Sequence, residues 1–150
     1  LNKILHDFKY RCNKSHASVL GMLLYKNLPP LDNYDLIIPV PLHDDKLKSR
    51  GFNQADKLLD YTRQKCKRLP INKQIVIRCN NTDSQTHIKR GQRRQNLINA
   101  FKLINEIQGA KILLVDDVVT TGATINSLAK LLKQHGAILV DICCLMRSVS

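Results

Sequence analysis

The spacing of apolar positions changes several times along the chain. Ile4, Leu5 and Phe8 recur at helical intervals among Lys3, Asp7 and Lys9, and a second helical stretch covers 15–27, with Ser15 placed as its N-cap. Pro29 and Pro30 end this region, because the residue before a proline avoids helical backbone. The run Asp35-Leu-Ile-Ile-Pro-Val40 reads as a short buried strand. A loop through His43 and Asp45 then leads to a helix over 53–68, apolar at Ala55, Leu58, Leu59 and Thr62. Strands are predicted over 74–78 and 100–104, separated by a polar loop at 79–90 and a short helical stretch at 92–99. Lys111–Asp116 is the clearest strand. A loop, a helix over 123–135 stopped by Gly136, and a last strand from Ile138 to Met146 complete the series. Near-continuous apolar strands alternating with helices predict an α/β class: a twisted parallel sheet with helices on both faces. The N-terminal helices form a lead-in over 1–30, and the domain proper occupies 31–150.

Composition narrows the classes. The chain has 150 residues and 43% apolar content, and a domain of that length buries roughly 68–70% of its unfolded surface. It is not a disordered tail, a collagen-like repeat or a disulfide scaffold. The longest apolar runs, such as Ile112 to Val115, fall far short of the ~20 residues a membrane span needs, and no signal-peptide pattern opens the chain. The five cysteines are odd in number and lack C-x-x-C spacing, which implies reduced thiols in a cytoplasmic protein. Cys143 and Cys144 lie in an apolar stretch and read as small core residues. Helical spacing is already under way at Leu1, so the natural chain is expected to extend further toward its N-terminus.

Charge adds a partner class. The net charge is +12, and between Arg63 and Arg94 there are ten basic residues against one acid, Asp83. Such a block calls for an anion, either the phosphates of a small ligand or a nucleic-acid backbone; a solvated face is the competing explanation.

The chemistry concentrates in Ile112-Leu-Leu-Val-Asp-Asp-Val-Val-Thr-Thr-Gly-Ala-Thr124. A buried strand delivers Asp116 and Asp117 to its carboxyl end, where parallel sheets bind ligands. Three hydroxyls, Thr120, Thr121 and Thr124, then bracket Gly122 at the start of a helix. Glycine lets the backbone approach a ligand, and the N–H groups and dipole of a helix start favour phosphate. Two carboxylates beside a phosphate suit ribose hydroxyls, which donate to them, or a metal ion. The simpler alternative is that Thr120 or Thr124 caps the helix and the Asp pair is a solvated strand end. A receiver-type domain also ends a strand in paired aspartates, but only 33 residues follow Asp117, too few for the remainder of that fold.

The stretch Val115–Thr124 resembles the phosphoribosyl pyrophosphate (PRPP) signature of type I phosphoribosyltransferases. Ile38-Pro-Val-Pro-Leu-His43, Arg50-Gly-Phe-Asn-Gln-Ala55, Gln85-Thr86, Arg93, Asn96-Leu97 and Ala100-Phe101 resemble the pattern of the ComF-type competence proteins in that fold. These elements follow the family order and cover about 35–147, together with the helical lead-in at 4–10. The resemblance implies that Asp116 and Asp117 bind the ribose hydroxyls and that Thr120, Thr121, Gly122, Ala123 and Thr124 hold the 5′-phosphate. It places Pro41 and Leu42 in the pyrophosphate loop with Lys46 and Arg50, although family members usually carry Arg where this chain has Lys46; Lys46, Lys48 and Arg50 all lie in that loop as cations that could stabilise a pyrophosphate leaving group. It likens 79–94 to a mobile hood bringing Arg90, Arg93 and Arg94, with Arg93 joining Asp116 and Asp117 as catalytic residues. Mg²⁺ is the implied cofactor, held mainly by PRPP and water rather than by a direct protein site. Family members commonly carry a Cys-rich zinc module ahead of this domain, and these 150 residues contain none.

Three functions are consistent with this reading. The first is Mg²⁺-dependent phosphoribosyl transfer to an unidentified acceptor. The second is PRPP or nucleotide sensing without turnover. The third is a DNA-uptake role in which the basic segment meets single-stranded DNA or a helicase partner. Single-strand binders stack bases on aromatics, and Tyr61 is the only aromatic near the basic block. The cations without a task in the phosphate site are Arg63, Lys65, Lys67, Arg68 and Lys73, and they are where DNA contact is expected. The oligomeric state is left open.

Overall fold

The structure, a computed structural model, describes residues 2–11, 14–66, 69–79 and 100–147. Two helices open the chain, α1 (Asn2–Arg11) and α2 (Lys14–Asn27), so α2 starts one residue ahead of the Ser15 cap that was expected. Strand β1 (Leu36–Pro39) follows. The predicted loop through His43 and Asp45 is instead a short helix, α3 (Asp44–Arg50). Its signals are local: the His43 ring accepts from the Asp45 N–H, Asp44 and Asp45 fill the first turn, and Lys48 and Arg50 fill the last. Gly51, at φ 76°, takes the left-handed turn that ends it. Helix α4 (Gln54–Lys65) stops short of the expected 68, and it buries the four residues of the predicted face.

Among the described residues the predicted parallel sheet contains three strands, in the order β1, β4 (Lys111–Val119), β5 (Leu139–Arg147). Leu36 to Pro39 register with Ile112 to Val115, and Lys111 registers with Leu139. The segment around Ile71 adds to the outer edge of β1: Ile37 N–H donates to the Pro70 carbonyl at 2.9 Å, and Asn72 N–H donates to the Ile37 carbonyl at 3.0 Å. Two further strands among the described residues, β2 (Val76–Arg78) and β3 (Phe101–Leu103), pair with each other, antiparallel, in a separate ribbon. The alternation had implied one parallel sheet. A three-residue strand carries too little pattern to say which neighbour it meets.

Period-two alternation on β1 and β4 sends side chains into two cores. Ile37, Leu113 and Val115 meet Leu5 and Phe8 of α1, Leu20 and Leu24 of α2, and Leu58 and Leu59 of α4. Ile38, Ile112 and Leu114 meet Val76, Phe101 and the apolar face of α5 (Ala123–Gln134), namely Ile125, Leu128 and Leu132. Helices therefore cover both faces. Every side chain from Ile112 to Val115 is fully buried, which at ~1.5–3 kcal/mol apiece makes β4 the anchor of the domain. Cys143 is buried, but Cys144 is only partly so, and the four described cysteines are unbridged. Among the described residues no helix is long and apolar enough to cross a membrane.

Candidate functional site

A cleft of about 230 Å³ opens beyond the carboxyl ends of β1 and β4, where ligands bind in parallel sheets. Each wall follows from the strand that leads into it. β1 ends at Pro39, and Val40 N–H donates to the Val115 carbonyl at 2.8 Å, which ties the next turn to β4. Pro41 and Leu42 then enter the cleft wall. Asn53 Nδ2 donates to the Val40 carbonyl at 3.0 Å while Asn53 Oδ1 caps α4 through the Ala55 N–H, also at 3.0 Å. One side chain thus joins the turn after β1 to the start of α4.

Helix α3 sorts the cations of this loop. Lys46 and Arg50, four residues apart on one helical face, line the cleft; Lys48, on the opposite side, does not. Arg50 Nη1 donates to Gln54 Oε1 at 3.3 Å.

β4 continues three residues beyond its predicted end at Asp116, so the paired carboxylates project from regular strand. Asp116 Oδ1 accepts from the Asp117 N–H and Asp117 Oδ1 from the Val118 N–H, each at 2.8 Å. Both carboxylates are oriented by the backbone before any ligand arrives. Asp117 is 8% exposed. As acceptor-only groups, they suit hydroxyl donors or a cation.

Thr120, Thr121, Gly122, Ala123 and Thr124 complete the wall. The cap position of α5 is Gly122, with φ 73°. It has no side chain to cap with, so neither Thr120 nor Thr124 takes the structural role that the simpler reading gave them. A backbone that turns left-handed here leaves the first N–H groups of α5 at the cleft, a suitable anion cradle. Thr121 Oγ1 lies 3.4 Å from the Ala123 nitrogen.

Of the residues singled out in the sequence, Pro41, Leu42, Lys46, Arg50, Asp116, Asp117 and Thr120 to Thr124 all converge on this one cleft. Arg90, Arg93 and Arg94, and the hood assigned to 79–94 beyond Cys79, lie outside the described residues. Sequence reasoning missed three further polar wall residues: Asn53, Gln54 and Arg78. The first two stood in a quoted motif without a role. Arg78 ends β2, and its guanidinium lies over the Phe101 ring at 5.3 Å. Burial pulls the Arg78 pKa down, and the nearby Asp116 carboxylate pushes it back up. The position of Arg78 at a strand end, just ahead of the polar segment, was the available signal.

The other basic residues are differently placed. Lys73 Nζ pairs with Asp60 Oδ1 at 2.8 Å, Arg63 donates to the Ile71 carbonyl at 3.1 Å, and Lys65 lies over the Tyr61 ring at 5.6 Å. Lys67 and Arg68 lie outside the described residues.

Comparison with known proteins places the chain in a family. The phosphoribosyl transferase domain family matches residues 48–150. The chain is 35% identical to the DNA utilization protein YhgH of Escherichia coli O157:H7, over 99% of this chain and 68% of that protein. It is 37% identical to Competence protein F of Haemophilus influenzae, over 91% of this chain and 63% of that one. Among solved structures, the allosteric regulatory enzyme of purine biosynthesis superposes with a TM-score of 0.54 at 18% identity, over 85% of this chain and 25% of that one. That likeness is one of fold.

Proposed function

Because the chain belongs to the phosphoribosyl transferase domain family, in the branch of the competence and DNA utilization proteins, we propose that its cleft binds PRPP with Mg²⁺ and transfers the phosphoribosyl group to a nucleophilic acceptor. The observation that carries this reading is the meeting of the Asp116–Asp117 pair, the Gly122 loop and Lys46 with Arg50 in one cleft. In the proposed arrangement Asp116 and Asp117 accept from the ribose hydroxyls, and the N–H groups and hydroxyls of Thr120 to Thr124 hold the 5′-phosphate. Lys46, Arg50 and Arg78 face the pyrophosphate.

In the reaction the bond from the sugar to pyrophosphate breaks, a bond from the sugar to the acceptor forms, and the acceptor gives up its proton. Positive charge builds on the sugar and negative charge on the leaving group. The carboxylate pair, with Asp117 buried and Asp116 half-buried, favours the first, and the cations of α3 and β2 favour the second. Arg93 is assigned by resemblance to the same leaving group. Two adjacent carboxylates fit a Mg²⁺ ion that arrives on substrate phosphates. Among the described residues no group of three His, Cys, Asp or Glu side chains could hold a metal by itself. When bound, Mg²⁺ would neutralise charge on the departing pyrophosphate.

Calorimetry of PRPP with Mg²⁺ tests the site. Replacing both carboxylates, Asp116→Asn with Asp117→Asn, is expected to weaken binding about 100-fold, since hydrogen bonds to charged groups contribute about 1.5–3 kcal/mol each. Unchanged affinity would refute the assignment. Pyrophosphate release in the presence of candidate acceptors separates an enzyme from a sensor.

The names of the relatives favour a second role in DNA uptake, in which single-stranded DNA meets the basic surface. That contact would be electrostatic. DNA affinity is then expected to fall steeply between 50 and 200 mM salt, and a flat response measured by fluorescence anisotropy would exclude it.

A further inference from the structure

Gln54 is the first residue of α4, in the cleft wall, yet it is only 2% exposed. Its neighbours Ala55, Leu58 and Leu59 are apolar and equally buried, so a polar side chain here calls for a reason. Half of that reason is visible. Gln54 Oε1 accepts from Arg50 Nη1 at 3.3 Å. A guanidinium only donates, so this contact identifies the amide oxygen and turns the amide nitrogen the other way. That nitrogen, Nε2, is buried and has no hydrogen-bond partner among the described residues. A buried donor left unsatisfied is costly, and native structures keep few of them without a function.

The surroundings say what would satisfy it. Lys46, Arg50 and Arg78 line the same cleft and bring positive charge. A neutral amide donor held beside a bound guanidinium adds a directed hydrogen bond for the oxygen of an anion that the charges attract. Asp116 and Asp117 line the same cleft and accept rather than donate. The side-chain donors next to Gln54 are the Arg50 guanidinium and its neighbours Lys46 and Arg78 in the lining.

We propose that Gln54 is a ligand-binding residue: its Nε2 donates to a phosphoryl oxygen on the pyrophosphate side of the cleft, while its Oε1 holds Arg50 toward the same group. The assignment rests on the PRPP reading given above and names the residue that discriminates between the two phosphate ends of that ligand.

Two substitutions separate donation from positioning. Gln54→Glu keeps the size and the acceptor for Arg50, and its charge strengthens that hold, but it puts a carboxylate oxygen where the donor was. Gln54→Met removes both groups at similar length. The probes are PRPP, inorganic pyrophosphate and ribose 5-phosphate, each titrated calorimetrically with Mg²⁺ into the full chain. Thermal unfolding confirms that each variant folds. Gln54→Glu is expected to lose at least about tenfold in affinity for pyrophosphate and PRPP, while ribose 5-phosphate binds within about twofold of the parent chain. Gln54→Met is expected to follow the same pattern.

If Gln54→Glu binds pyrophosphate as the parent does, Gln54 only positions Arg50, and the donor role is overturned. Equal losses for all three ligands would mark a structural role and overturn it too. If the parent chain binds none of the three, the PRPP reading itself fails and takes this assignment with it. That outcome is distinct from a parent that binds and a variant that is indifferent.

Discussion

Lys46, Arg50 and Arg78 line the cleft at the carboxyl edge of the sheet, whereas Arg63, Lys65 and Lys73 gather around the later turns of α4. The two groups carry the same formal charge and have different surroundings. The α4 group is occupied within the fold: a carboxylate for Lys73, a backbone carbonyl for Arg63 and an aromatic face for Lys65. The cleft group shares one cavity with the Gly122 loop and two oriented carboxylates. A basic residue count therefore says little about what the cations serve. Position relative to the strand ends separates them, because unpaired N–H groups and converging loops occur there.

Removing charge from one group at a time separates their roles. Arg50→Ala with Arg78→Ala is expected to weaken PRPP binding on the order of 100-fold, at about 1.5–3 kcal/mol per charged hydrogen bond. Arg63→Ala with Lys73→Ala is expected to leave PRPP affinity within about twofold and to cost only about 0.2–1 kcal/mol of stability for the exposed ion pair. Equal losses of affinity from both pairs, measured by calorimetry, would erase the distinction.

A smaller effect concerns Asp56 of α4, beside Lys57, Asp60 and Lys73. Burial raises the Asp56 pKa above the ordinary 3.8; Lys73 opposes this, Asp60 adds to it, and Lys57 opposes it. The folded chain therefore keeps this proton to higher pH than the unfolded chain does. Between the two pKa values folding takes up a proton, so stability from this group falls as pH rises through that window. Asp56→Asn should remove the slope. Urea midpoints of variant and parent are then expected to draw apart as pH rises from about 4 toward neutrality, and parallel profiles would count against a burial-driven shift. Lys73 thus acts on a half-buried carboxyl within α4, whereas Lys46, Arg50 and Arg78 line the cleft.

Much of the fold was legible because it rests on local periodicity. Ala55, Leu58, Leu59 and Thr62 repeat at helical spacing and are all buried. Ile112 to Val115 form a continuous apolar run and are buried on both faces. Helix α3 was missed although its cap, its charge order and Gly51 were all in view. The lack of an apolar stripe hid it, since none of its residues is buried. The pairing of β2 with β3 was not legible, because antiparallel partners 23 to 27 residues apart meet through the tertiary fold rather than through any local pattern.

The candidate site divides along the same line. The segment from Asp116 to Thr124 was legible in the sequence alone, because its carboxylates, hydroxyls and glycine follow one another from the end of a strand into the start of a helix. The tertiary structure alone decided that Lys46 and Arg50 face that loop and Lys48 does not, that Arg78 joins them, and that Gln54 is buried beside Arg50. Those placements depend on the parallel register of Leu36–Pro39 with Ile112–Val115 and on an unforeseen helical turn. The physical reason is separation: periodicity reports which face of an element is apolar, while contacts between residues far apart in sequence exist only once the elements have packed.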